Sequence, residues 1–525
     1  MNPSSMREDR DGAPRWLWAL ALFAVLLHVG VNLITPFGVH RDELLYLSMG
    51  THLRWWRMDF PPFIAGVANV SRAMFGDALW SIRLFPAITS GLIVFAAGVA
   101  AWRFAMATAA TENAAARATV LTAVAVLTGS VFLRAGLLFQ PVVFDQLWWT
   151  LALLAIAERQ RTGNIRWWLG VGVALGLGLL TKHSIMFIGV GLVVGMLLTP
   201  VRRDLLTPWP WFALGIAVFI GLPSLVGQIQ LDWPILWQMR DLQASQLEAR
   251  NRLSFLFEQP LLVNPVAFVL GMAGLVWLLV ARTARRWQIV GIACLVSWLV
   301  LIMQHGKAYY GAPVYPILFA AGAAALMQLA PRVQRIGTYA GVLLMVALAV
   351  LGAPLALPIL SPAATAAYAA RMGVSNSTET NTGEQLPLPQ DFADMLGWPQ
   401  QVEAVAGEWQ KLTEDERART VLVASNYGRA GALDLYGPRH GLPPVVSAAG
   451  SFWYFGPGTK PGDIMLALGG EVEEYQQLYE QCRTIFIVGT AWGVLEEQAV
   501  PIIRCDTPRK PLQDVWPLLD PANNS

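Results

Sequence analysis

The chain has 525 residues, 55% hydrophobic and only 14% charged, with a mean hydropathy of +0.47 and a formal net charge of +2. A soluble domain usually carries about 25% charge, so this composition belongs to an integral membrane protein rather than a soluble enzyme. No basic face with interleaved aromatics is visible, so nucleic acid is not an expected partner.

In chain order, apolar segments predict spans near 16–36, 82–104, 118–138, 142–158, 167–181, 184–199, 209–229, 261–281, 287–304, 309–329 and 336–357, about eleven helices. The first lacks a clear small-residue cleavage site and reads as a retained helix, not a signal peptide. Directly after it comes HRDELLYL (40–47), with adjacent acids Asp42 and Glu43 where a helix should leave the bilayer. Ionised groups near hydrocarbon are usually functional or paired. DFPPFI (59–64) then reads as a rigid turn along the membrane surface.

Orientation follows from Lys and Arg near span ends. Arg7, Arg10 and Arg15, then Arg159, Arg161 and Arg166, Arg202 and Arg203, Arg282, Arg285 and Arg286, and Arg332 and Arg335 all follow an even number of spans. The N-terminus is therefore expected to be cytoplasmic, and the 37–81 loop, the 230–260 loop and everything after about 358 to lie outside. Outer loops also carry Arg41, Arg54, Arg57, Arg72 and Arg83, available to hold phosphate.

From 359 the character changes. Residues 361–390 are rich in Ala, Ser, Thr, Asn and Pro and read as a linker. An amphipathic helix follows over 391–412, with Trp398, Val402, Val405, Trp409 and Leu412 on one face. TVLVAS (420–425), DIMLAL (463–468) and TIFIVG (484–489) read as buried strands, with helices over 427–436 and 470–481. The expected organisation is a membrane domain over 1–358, a linker over 359–390 and an extracytoplasmic α/β domain over 391–525. Cys482 and Cys505 fall in that domain, where a disulfide is permitted if the compartment is oxidising; two buried thiols fit the sequence equally. Cys294, in an apolar run, reads as core packing.

The candidate chemistry is carried by isolated polar residues. Asp42 or Glu43 could serve as general base for an acceptor hydroxyl or amine, or could cap the following helix. Asp145, in FQPVVFDQLWW (139–149), either caps its helix or faces a polar site, since burying it unpaired is costly. Lys182, in GLGLLTKHS (176–184), suits a lipid-linked phosphate or snorkels to the interface. Lys307, Tyr309 and Tyr310, in GKAYYGAPVYP (306–316), offer a cation and two hydroxyls, or form an aromatic belt. Arg240, Arg250 and Arg252 are further phosphate partners on an outer loop. Paired-Cys and HExxH zinc signatures, Walker motifs and Rossmann fingerprints are absent from the sequence. SNYGRAGALDLYG (425–437) reads as a strand-to-helix connection.

Taken in order, RDELLYL (41–47), DFPPFI (59–64), RLFPAITSG (83–91), the Asp145 segment, GLLTKHS (178–184), EQPLLVNP (258–265) and GKAYYGAPVYP (306–316) resemble glycosyltransferase family 39. These are the polyprenyl-phosphate sugar transferases of the GT-C superfamily, which include protein O-mannosyltransferases and aminoarabinose–lipid A transferases. The C-terminal part is similar to the extracytoplasmic domain of bacterial members.

The resemblance implies a GT-C-like multi-pass protein of a bacterial inner membrane that moves a sugar from a polyprenyl monophosphate to a protein, lipid or glycan acceptor with inversion. It gives Asp42 the catalytic role, with Glu43 beside it and Asp145 assisting. Lys182, Lys307, Tyr309 and Tyr310 would hold the lipid phosphate, with Arg252 of the outer loop as a further partner read from its position. Many relatives carry His or Lys just before the Pro-Pro; here it is Phe60, and Arg57 could substitute. No cofactor is firmly implied, although the acidic pair of relatives can also take part in binding a divalent metal. A transporter or lipid flippase, and a ligase using a diphosphate carrier, are the rival readings; a large outer domain and acids at one membrane face, not the midplane, count against transport.

Overall fold

The computed structural model describes residues 12–108, 111–247, 251–374, 380 and 383–523; Arg7, Arg10 and Arg250 lie outside them. The chain divides into two compact units. One comprises Met1–Leu33, Arg83–Leu225 and Leu247–Leu357, the other Ile34–Ile82, Val226–Gln246 and Pro358–Ser525.

The first unit is helical. Among the described residues, seven helices are long and apolar enough to cross a bilayer: Leu17–Ile34, Leu84–Thr108, Pro141–Thr162, Trp209–Gln230, Arg282–Met303, Ala308–Leu326 and Pro331–Ala356. Three bent pairs raise the number to ten: Glu112–Thr128 with Ser130–Leu137 (64°), Ile185–Leu198 with Pro200–Leu206 (101°), and Ser254–Val263 with Pro265–Val280 (115°). The remaining expected segment is the 15-residue apolar helix Trp167–Thr181, too short to count by that length. The protein is a multi-pass membrane protein.

The bends have local causes. Pro200 and Pro265 each open a new helix, because proline fits the first turn but not an interior. Asn264 takes φ +75° at its bend, accepts from the Val266 N–H at 3.2 Å and donates to the Met345 carbonyl at 3.0 Å. Those bonds satisfy polar groups that water cannot reach. Elsewhere close packing rests on absent side chains: a Cβ on Gly274 or Gly322 would overlap the facing carbonyl of Leu318 or Leu270.

Some of the basic residues that mark the short loops are also structural. Arg159 grips Asp204 through two bonds of 3.0 and 2.7 Å, and Trp168 donates to the same carboxylate at 2.8 Å. Arg103 and Arg161 pair with the buried Glu158 at 3.0 and 2.9 Å. Each buried acid is thereby matched, which its desolvation requires.

The second unit carries a five-stranded mixed sheet, order β2-β1-β3-β5-β4. Its strands are β1 (Thr420–Ala424), β2 (Val445–Val446), β3 (Ile464–Leu468), β4 (Tyr479–Val488) and β5 (Val500–Pro508). β1 runs parallel to β2 and β3, while β5 is antiparallel to β3 and β4. Cys482 and Cys505 stand opposite each other on β4 and β5 and form a disulfide. Cys294 is buried and free.

Four local readings change. The helix expected over 470–481 shrinks to Val472–Tyr475, because β4 already begins at Tyr479. β5, which includes Pro501 and charged Arg504 and Asp506, was not anticipated. The helix over 391–412 becomes Gln390–Ala393 and Trp398–Gln410, separated at Gly397 with φ +93°; the five residues of its apolar face are all buried. Within the expected linker, Pro362–Met372 forms a helix capped by Ser361 and ended by Gly373 at φ +64°.

Candidate active site

In the second unit the helix Arg41–Thr51 begins with a capping box. The His40 ring accepts from the Asp42 N–H at 3.0 Å, and the Glu43 carboxylate accepts from the His40 N–H at 2.7 Å. Glu43, fully buried, is therefore tied to the helix start, while Asp42 is half-buried in the first turn. An acid there faces the positive end of the helix dipole.

The Tyr427 hydroxyl donates to Asp42 at 3.0 Å. Tyr427 opens the helix Tyr427–Tyr436, whose Asn426 cap accepts from the Arg429 N–H at 2.9 Å. Buried Glu497 anchors that start, accepting from Asn426 (3.1 Å), Arg429 (3.1 Å) and Gln401 (2.8 Å). Arg41 lies 4.7 Å over the Tyr427 ring and pairs with Glu496. Burial, then the Asp42 charge, raises the Tyr427 pKa well above its ordinary value, so the hydroxyl stays protonated and donating. Burial also pushes Asp394 up to about 6, against His40 and Arg41, which pull it down.

Tyr427 is a residue that sequence reasoning missed. The signal lay in the YGRAG spacing: a Cβ on Gly431 would strike the Leu44 backbone, so only glycine lets the two helices approach this closely.

In the first unit, Asp145 is buried near the start of Pro141–Thr162. It accepts from Ser184 at 2.7 Å and Trp149 at 3.1 Å. It does not accept from its own first-turn backbone in the manner of a cap. Lys182 follows the helix Trp167–Thr181 in extended conformation and lies within electrostatic reach of Asp145. Its ammonium sits 4.7 Å from the Tyr310 ring centre and 5.5 Å from that of Tyr309. The two tyrosines meet edge to face at 4.6 Å. Arg134, which the sequence did not single out, lies within electrostatic reach of Tyr309.

Lys307 is buried at the start of the turn Ala308–Val314. Arg252 is exposed and donates to His305 at 3.0 Å. Arg57 lies in the second unit and lines a cavity with Arg54. The structure thus groups Asp145, Lys182, Tyr309 and Tyr310 in one unit and sets Asp42 and Glu43 on one helix turn in the other. Among the described residues, no group of three or more His, Cys, Asp or Glu converges as a metal-ligand set.

Residues 59–226 match the sequence model of a family described as dolichyl-phosphate-mannose-protein mannosyltransferase. The matched stretch includes DFPPFI, the Asp145 segment and GLLTKHS, but not RDELLYL or GKAYYGAPVYP. No curated protein matches the sequence. Among solved structures, ArnT from Cupriavidus metallidurans bound to undecaprenyl phosphate is similar, with TM-score 0.58 and 17% identity over 93% of this chain and 97% of that one. Apo ArnT from the same organism gives TM-score 0.55 at the same identity and coverage.

The class so defined is a polytopic membrane protein of ArnT-like fold with a C-terminal mixed-sheet domain. Over residues 59–226 the chain is similar to the dolichyl-phosphate-mannose-protein mannosyltransferase family.

Proposed function

We propose that the chain is an inverting glycosyltransferase that moves one sugar from a polyprenyl monophosphate to an acceptor outside the cytoplasm. Asp42 takes the proton of the acceptor hydroxyl or amine. The acceptor atom bonds to the anomeric carbon as the bond from that carbon to the phosphate oxygen breaks, and polyprenyl phosphate leaves. Lys182, Lys307, Tyr309, Tyr310 and Arg252 oppose the charge that grows on the phosphate. Glu43 positions Asp42 through the helix cap, and Asp145 holds the Ser184–Lys182 segment.

The observation that carries this reading is the Lys182 ammonium held over two tyrosine rings, next to Asp145, at the end of an apolar helix. A fixed cation flanked by hydroxyl donors suits a phosphate monoester on a lipid tail. The ArnT of similar fold was solved with undecaprenyl phosphate, which supports the same donor class.

We also place the protein in a bacterial inner membrane, with the N-terminus cytoplasmic and 391–525 extracytoplasmic beyond a linker at 359–390, because the short basic loops fall on one side. The test is incubation of purified protein with polyprenyl-phosphate sugars and membrane extracts, followed by mass analysis. Transfer of a single sugar supports the proposal; a product made only from diphosphate carriers would move the assignment to a ligase.

A further inference from the structure

The second unit encloses a cavity of about 410 Å³ whose walls include Arg54, Arg57, Trp237, Trp453, Tyr454 and Trp516. That volume lies within the range of small-molecule sites. The walls come from four stretches of chain far apart in sequence, and one buried carboxylate ties three of them together. Asp59 accepts from Ser451 at 2.7 Å and Gln238 at 3.2 Å, and its carbonyl accepts from Gln228 at 2.6 Å. Arg57 lies two residues before Asp59, Trp237 directly before Gln238, and Trp453 two residues after Ser451.

The aromatic walls are also held. The Trp453 indole donates to the Trp516 carbonyl at 3.1 Å, and the Trp516 indole returns a bond to the Trp453 carbonyl at 3.2 Å. With both polar handles engaged, these indoles are fixed as walls. Asp232 and Trp233 take φ +59° and +58°, strained values for residues with side chains, and Asp232 lines the cavity.

Against this rigid frame, the guanidinium groups of Arg54 and Arg57 are exposed. They make no side-chain hydrogen bond or ion pair among the described residues.

Flat aromatic walls suit the C–H faces of a pyranose ring. Asp232, Asp520 and Gln230, also on the lining, suit its hydroxyls. Two unpaired guanidinium forks suit a phosphate or carboxylate. A lipid tail would not favour so polar a lining, and a bare anion would leave the aromatic faces unused.

We propose that this cavity is a saccharide subsite for a glycan carrying an anionic substituent. That this glycan is the acceptor rests on the transferase reading above; the binding itself does not. Arg57 belongs to this cavity rather than to the donor phosphate.

The test uses full-length protein in detergent, titrated calorimetrically with N-acetylglucosamine 1-phosphate, N-acetylglucosamine and inorganic phosphate. The phosphorylated sugar should bind at least tenfold tighter than either of the others. Arg54→Ala and Arg57→Ala should each remove most of that preference for the phosphorylated over the neutral sugar. Trp237→Ala should weaken both sugars. Both Arg54 and Arg57 are exposed, so unchanged melting temperatures are expected for their variants.

Equal binding of phosphate and phosphorylated sugar, insensitive to Trp237→Ala, would make this an anion site and overturn the proposal. So would arginine variants that lose only binding to nanodiscs of anionic phospholipid. Undecaprenyl phosphate is titrated in parallel: donor bound without sugar sinks this inference alone, whereas sugar bound without donor sinks the transferase reading alone.

Discussion

Asp42 shows how much a single carboxylate depends on what surrounds it. Its position at a helix start was evident from RDELLYL, but its partner Tyr427 is 385 residues away. Asp42→Asn should abolish transfer while donor binding and melting temperature stay unchanged, since only the proton-accepting charge is lost; near-normal turnover would remove Asp42 from the base role. Tyr427→Phe deletes one hydrogen bond to a charged group, worth about 1.5–3 kcal/mol. Turnover should fall roughly tenfold or more with donor KM unchanged, which a purely structural tyrosine would not produce. Lys182→Ala should weaken donor binding by about 1.5–3 kcal/mol if the ammonium bonds the phosphate; unchanged affinity in a donor titration would leave Lys182 as a helix-end anchor. Asp59 gives a pH dependence of definite sign. Burial pushes it from 3.8 up to about 6. Its favourable contribution is complete below the unfolded value near 3.8 and is lost as pH rises through about 6, a change of about 3 kcal/mol. Asp394 acts in the same direction. Asp59→Asn should therefore remove roughly half of the loss in stability between pH 4 and 7 that these two acids cause; melts of purified protein across that range check it.

At the scale of elements, what was legible and what was not divides by periodicity. Apolar runs long enough for a bilayer, and buried strands such as β1 and β3, announce themselves because nearly every side chain on them is apolar. β4 does not. It opens YEQCRT, its first three residues fall within the helix expected over 470–481, and it is mostly exposed on both faces, including the stretch at 484–488 expected to be buried. β5 hides for a related reason: Arg504 bonds Asp506 and Glu416, so charges sit on a strand that is otherwise core. The Cys482–Cys505 bridge joins these two least legible strands and closes a separation of 23 residues. In chain-entropy terms such a loop is worth about 3 kcal/mol. Replacing both cysteines by serine should lower stability by about that amount; a melt indistinguishable from that of the parent under non-reducing conditions would show that the bridge adds nothing.

For the whole molecule, the strongest expectation is sidedness. Cysteines introduced at Thr283, next to a basic loop, and at Glu473, in the sheet-bearing unit, should react with impermeant reagent from opposite sides of the membrane. Labelling of both from one side would reverse or break the orientation. The amino-acid sequence alone determined that the chain is a multi-pass membrane protein, where most spans lie, that a strand-bearing C-terminal part follows, and which isolated polar residues are candidates for chemistry. It could do so because hydrocarbon penalises every unsatisfied polar group, so span length and charge placement are written locally. Only the tertiary structure decided that Glu43 caps while Asp42 meets Tyr427, that Lys182 stacks on Tyr309 and Tyr310 beside Asp145, and that Arg54 and Arg57 share a cavity with tryptophans from 237 to 516. Apart from the Glu43 cap, each of those pairings joins segments distant in sequence, and no local periodicity records which distant side chain will complete a hydrogen bond or pair with a charge.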